Sequence, residues 1–175
     1  MKARNVFITG ASSGIGKATA YKFAEYGDNL ILCARRKENL NEIAQDIKNK
    51  WRSHVHIYQL DVTNYEDVSS VVKDLEDKDI KIDILVNNAG LASGLDKFQD
   101  SSIEDIEKMI NTNLKGLIYV TRKVIEQMAG ENSGHITNMG STAGIYAYEK
   151  AAVYCASKAA VKTLSDGIRI DIIDK

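Results

Sequence analysis

Residues 6–27 read VFITGASSGIGKATAYKFAEYG: a short apolar run, a glycine-rich turn, then small and apolar residues at helical spacing. An unbroken apolar run suits a strand covered on both faces rather than one. Gly10 lets the chain turn sharply at the strand end, because glycine takes backbone angles closed to other residues. Gly14 and Gly16 leave the start of the next helix bare, where unpaired N–H groups and the helix dipole favour an anion such as a pyrophosphate. The spacing is G-x-x-x-G-x-G. It matches neither G-x-G-x-x-G nor a loop ending in Gly-Lys-Ser/Thr, so Lys17 is not read as a phosphate-gripping lysine. Helpful glycines in a plain strand-to-helix turn are the alternative, and three of them at a first βα turn weigh against it.

The same alternation continues along the chain. Strands are predicted at NVFITG (5–10), NLILCA (29–34), HVHIYQL (54–60), IDILVNN (82–88) and GHITNMGS (134–141). Helical periodicity covers 14–27, 37–50, 65–78, 102–129 and 151–174. Asn64 precedes an acidic first turn (Glu66, Asp67), and Ser102 precedes Ile103-Glu104-Asp105, so both read as N-caps. Regular β/α alternation calls for parallel strands with helices on both faces. One α/β domain over 1–175 is expected, a doubly wound parallel sheet in three layers.

Composition narrows the partners. The 175 residues are 44% hydrophobic and 27% charged, and 23 Lys+Arg against 24 Asp+Glu give a net charge of −1. Without a basic excess, neither nucleic acid nor a membrane surface is an expected partner. Cys33 and Cys155 lie far apart, and His54, His56 and His135 lack ligand spacing, so no metal site is expected. The start, MKARNVFITG, lacks a signal-peptide core and no window approaches a membrane span, so the expected compartment is the cytoplasm. There is no proline.

The second strand ends LCARRKENL, with Arg35 and Arg36 where an NAD site usually carries an acid for the ribose 2′-hydroxyl. A guanidinium suits a 2′-phosphate, and Ser13 can add a hydroxyl contact, so NADP is the expected cofactor. Two arginines on a solvated helix start are the competing explanation.

In AVYCASKAAV, Tyr154 and Lys158 stand four apart and share a helix face. Moving a hydride between a carbinol and a nicotinamide needs a group that takes or gives the hydroxyl proton. A free phenol titrates near 10, too high for a base at neutrality, but a neighbouring ammonium favours the phenolate. Tyr–Lys pairs at this spacing are also common on helices with no such use.

Taken together, these motifs resemble the short-chain dehydrogenase/reductase family, from Met1 to Lys175 with every block in order. Thr9-Gly10-Ala11-Ser12-Ser13-Gly14-Ile15-Gly16 looks like its cofactor loop, and Asn87-Asn88-Ala89-Gly90 like its fourth-strand motif. Asp61-Val62 is similar to its adenine-binding pair, and Tyr154-x-x-x-Lys158 to its catalytic motif. The resemblance implies a Rossmann-like fold and a catalytic set of Asn113, Ser141, Tyr154 and Lys158. Ser141 would orient the reacting oxygen, and Asn113 would hold a relay water near the lysine. Cofactor contacts are implied at Gly10, Ser12, Ser13, Gly14, Ile15, Gly16, Arg35, Arg36, Asp61, Val62, Asn88, Ala89 and Gly90, with Tyr154 and Lys158 again. YCASKAAV, NNAGLASGLDKFQD and ARR look most like the NADP-dependent group acting on 3-hydroxy acids such as serine and allo-threonine. A 3-oxoacyl thioester reductase and a non-catalytic NADP-binding or dimerising module stand as alternatives.

Two departures carry expectations. Met139-Gly140 stands where the family commonly has isoleucine and serine. After LSDGIRIDIIDK the family continues through further strands and a substrate-covering segment that this sequence lacks. The domain is therefore expected to be incomplete, with the fifth strand at a sheet edge and the pocket short of a roof. The resemblance also implies a homo-oligomer through the 102–129 and 151–174 helices.

Overall fold

The computed structural model describes residues 3–94 and 96–173. Met1, Lys2, Leu95, Asp174 and Lys175 lie outside the described residues, so the expected domain limits, the last residue of the 151–174 helix and one position of NNAGLASGLDKFQD cannot be placed. Among the described residues five strands, β1 (Asn5–Thr9), β2 (Asn29–Ala34), β3 (Val55–Gln59), β4 (Ile84–Asn87) and β5 (His135–Asn138), form one parallel sheet in the order β3-β2-β1-β4-β5. Between them run α1 (Gly14–Glu25), α2 (Lys37–Lys50), α3 (Tyr65–Asp77), α4 (Ile103–Ile110) and α5 (Leu117–Glu131), and α6 (Ala152–Asp171) follows β5.

Side-chain alternation along the strands builds two cores. Phe7, Ile31 and Leu85, level with one another in neighbouring strands, face Val68, Val72 and Leu75 of α3 and Val120 and Val124 of α5. Val6, Ile8, Leu30 and Leu32 face the opposite way, onto Ala20 and Ala24 of α1 and Leu40, Ile43 and Ile47 of α2. The strands had to be apolar on both faces, and the fold is the expected Rossmann-like three-layer α/β arrangement. The strand order reverses beside β1, and in such sheets the crevice at the carboxyl ends of the strands there receives ligands.

Both caps are made: Asn64 accepts from the N–H groups of Glu66 and Asp67, and the Ser102 hydroxyl accepts from that of Asp105. Two expectations need correction. The helix expected over 102–129 is interrupted by a π-helical segment, Asn111–Gly116, before it resumes as α5 and runs on to Glu131. Its cause is tertiary. Asn113 is tied to the Leu91 backbone, and bare Gly116 sits so close to Val62 that a Cβ would fall 2.6 Å from the valine methyl. The fifth strand, expected to reach 141, ends at Asn138, because pairing with β4 stops at Asn87↔Asn138. β5 is an outer strand. The α4–α6 surfaces expected to meet a second copy carry exposed Ile103, Ile118 and Ile170.

Candidate active site

A cleft of about 740 Å³ opens at the carboxyl ends of β1, β2 and β4, within the size range of cofactor sites. Gly10, at φ 64°, turns the chain out of β1. A Cβ there would lie 2.9 Å from the Ala89 Cα, so the bare backbone lets the first and fourth strand ends meet. Thr9 and Asn88 fasten that junction. The Thr9 hydroxyl accepts from the N–H groups of Asn88 and Ala89, and the Asn88 amide donates to the Thr9 and Gly10 carbonyls at 3.0 and 3.1 Å. Asn87 ties β4 to α5 and β5 through Thr121 and Asn138. Sequence reasoning placed Thr9 in the glycine loop but gave it no contact of its own. Its signal was a β-branched hydroxyl at a strand end facing a glycine turn.

Of the residues expected to hold a cofactor, all but Gly16 line this cleft. Gly16 is buried beneath it, inside the first turn of α1. That turn has no acidic residue and no side-chain cap, so its leading N–H groups stay free for an anion. Arg36, exposed at the other wall, donates to the hydroxyls of Ser13 at 3.1 Å and Ser12 at 3.3 Å. A guanidinium and two hydroxyls thus converge beside the second strand's end. The cluster fits a phosphate dianion. Asp61 spends one carboxylate oxygen on the N–H and hydroxyl of Thr63, which fixes its plane at the cleft wall.

At the far end of the cleft, α6 presents Tyr154 and Lys158. The ammonium lies 6.0 Å from the Tyr154 ring centroid and donates to the Met139 carbonyl at 2.8 Å. Gly90 lies against the same groups: a Cβ there would be 3.2 Å from the Asn113 amide oxygen and 3.6 Å from the Lys158 nitrogen. Asn113 is buried and does not line the cleft; its amide accepts from the Leu91 N–H and donates to the Leu91 carbonyl, both at 2.8 Å. Ser141 lies past the strand rather than in it. It caps the Thr142–Gly144 turn by accepting from the Ala143 N–H at 3.1 Å, so its own proton is free to donate. Cys155 packs against Ala143 and Ala151. No group of three or more metal-ligating side chains occurs among the described residues, and no helix there is long and apolar enough to cross a membrane.

Burial pushes the Lys158 ammonium below the ordinary lysine value. The folded chain therefore gives up that proton before the unfolded chain does, and folding gains stability as pH rises toward the free-lysine value of about 10.4. Lys158→Met, which removes the charge and keeps the stem, should compare best with the wild type near neutrality and lose ground as the pH approaches about 10. Thermal midpoints across that range check it. A constant difference would mean that the ammonium carries no burial cost.

A family profile described as short chain dehydrogenase matches residues 4–175. The NADP-dependent 3-hydroxy acid dehydrogenase of Schizosaccharomyces pombe is 39% identical over 175 residues, covering 99% of this chain and 68% of that protein. Its counterpart in Escherichia coli strain K12 is 42% identical over 167 residues, covering 95% of this chain and 66% of that protein. The closed form of serine dehydrogenase complexed with NADP+ superposes with a TM-score of 0.90 at 41% identity, over 95% of this chain and 66% of that one. The chain spans about two thirds of the length of the curated relatives it matches.

Proposed function

Because the chain belongs to the short-chain dehydrogenase family, we propose that it carries the cofactor and proton-transfer halves of an NADP-dependent oxidoreductase acting on a carbonyl or secondary alcohol, and that the alcohol is a 3-hydroxy acid. The observation that carries this reading is one cleft with a phosphate cradle at one end and the Tyr154–Lys158 pair at the other. The substrate class rests on the relatives named as 3-hydroxy acid dehydrogenases.

When bound, the nicotinamide supplies or receives the hydride. The chain's own residues do the rest. Free N–H groups of α1 would receive the pyrophosphate, Arg36 and Arg35 with Ser12 and Ser13 would receive the 2′-phosphate, and the remaining carboxylate oxygen of Asp61 would accept from the adenine amino group. Tyr154 gives its proton to the carbonyl oxygen during reduction and takes it back during oxidation. Lys158, at present on the Met139 carbonyl, has donors for the nicotinamide ribose. Ser141 keeps a free proton to donate to the reacting oxygen.

Thermal unfolding with each cofactor is the first test. At a hundredfold over Kd, NADPH should stabilise the chain by about 2.7 kcal/mol. Arg36→Ala should weaken NADPH by roughly tenfold or more, the loss of a charge-assisted contact worth about 1.5–3 kcal/mol, while NADH changes little. Arg35→Ala should do less, because Arg35 lacks the link to the loop hydroxyls. Equal stabilisation by the two cofactors, or equal losses in Arg36→Ala, would contradict the NADP reading. Oxidation of NADPH by a 3-oxo acid but not by the matching neutral ketone would support the substrate class, and the reverse would remove it.

A further inference from the structure

Lys158 is preceded by a serine that no part of the mechanism uses, yet Ser157 is 1% exposed and fully engaged. Its hydroxyl donates to the Tyr154 carbonyl at 2.7 Å and accepts from the Asn113 amide at 3.1 Å. The remaining contacts of that amide fix its orientation, since its oxygen faces the Leu91 N–H and its nitrogen the Leu91 carbonyl. Both N–H donors of the Asn113 amide therefore have partners, and Ser157 supplies the second of them.

We propose that Ser157 is a positioning residue that pins the Tyr154–Lys158 turn of α6 to the π-helical segment and, through Asn113, to the strand end at Gly90–Leu91. One hydroxyl thereby sets the distance between the groups on α6 and the cofactor wall. Three further observations support this assignment. The π segment lies opposite Ser157, and a local widening of this kind marks functional positions in helices. Gly90 brings the Asn113 oxygen and the Lys158 nitrogen within reach of one bare backbone position. On the other flank, Gly144 packs so closely that a Cβ would fall 2.7 Å from the Lys158 carbonyl, so the turn is held from both sides. A mid-helix serine bonding back to its own helix weakens that helix slightly, and here the same hydroxyl also reaches another element.

The proposal rests on the oxidoreductase reading, and its test separates the two. Ser157→Ala and Ser157→Thr are compared with the wild type in folded fraction, in NADPH affinity, in the single-turnover rate of NADPH oxidation with a 3-oxo acid, and in hydrogen exchange of the Asn113 side-chain amide. Threonine keeps the hydroxyl, so it is the rescuing variant. In Ser157→Ala, amide exchange should accelerate by about tenfold or more. Its hydride-transfer rate should fall by about 10- to 100-fold, as for a misplacement near 1 Å, with NADPH affinity nearly unchanged. Ser157→Thr should restore both exchange protection and rate. Unchanged exchange in Ser157→Ala, or a rate that falls only in step with the folded fraction, would overturn the pin. Two variants equally slow would overturn it too. A wild-type chain that binds NADPH but reduces no carbonyl overturns the oxidoreductase reading and the positioning role with it, whereas the exchange result would still report whether the Ser157–Asn113 link exists.

Discussion

Tyr154→Phe is expected to lower hydride transfer by about 10²- to 10⁴-fold, the usual contribution of a positioned acid–base group. That corresponds to roughly 2.7–5.5 kcal/mol of barrier. The substitution removes one oxygen and leaves the ring, which packs beside Ala143, Ala151 and Cys155. The hydrogen bonds nearest it run through its backbone carbonyl and through Lys158, and phenylalanine leaves them in place. NADPH affinity should therefore stay within about threefold, under ~0.7 kcal/mol. The thermal midpoint should also hold. Single-turnover kinetics with fluorescence titration of NADPH separate the two quantities. Loss of binding together with loss of rate would make Tyr154 a structural residue. An undiminished rate would place the proton donor elsewhere, and Ser141, whose hydroxyl proton is free, would be the next group to substitute.

The contrast between Tyr154 and its surroundings shows what was legible in the chain. Strand interiors were readable because Phe7, Ile31 and Leu85 on one face and Val6, Ile8, Leu30 and Leu32 on the other leave no polar position in those runs. The glycine turn was readable because local geometry demands it. Strand ends were not. Met139 still donates to the Asn87 carbonyl beyond the last pairing of β5, and nothing in GHITNMGS marks where the chain leaves the sheet. The π segment was equally hidden, since periodicity reports the register of one helix while Asn113 answers to Leu91, 22 residues away. Ser157 left only a faint trace, a hydroxyl among the alanines of ASKAA. Arg36 was legible as a charge, but its fixed place against Ser12 and Ser13 was not.

Gly16→Ala should cost more than about 3 kcal/mol, above the usual range for overpacking. The reason lies in what the added carbon would meet. A Cβ at Gly16 falls 2.5 Å from the Gly10 carbonyl oxygen and 2.5 Å from the Asn88 amide nitrogen. Neither neighbour can yield cheaply. The Gly10 carbonyl belongs to the turn that leaves β1, and the Asn88 amide is committed to the carbonyls of Thr9 and Gly10. Relief would require α1 to lift from the sheet, where Ala20 and Ala24 are fully buried. Gly14 separates this steric effect from a conformational one. Nothing lies within 4 Å of a Cβ there, but φ is 54°, so alanine pays only for the left-handed backbone, about 1–2 kcal/mol. For a chain of this length each kcal/mol moves the midpoint by roughly 2–4 °C, so Gly16→Ala should melt about 6–12 °C or more below the wild type and Gly14→Ala about 2–8 °C below it. Scanning calorimetry of both variants decides the matter. If Gly14→Ala proves the more damaging, the glycine turn is governed by backbone angle rather than by the close approach of α1 to the Gly10–Asn88 junction. If Gly16→Ala melts like the wild type, α1 does not sit against the sheet as tightly as that contact requires, and the free N–H groups of its first turn would lose their fixed aim at the cleft.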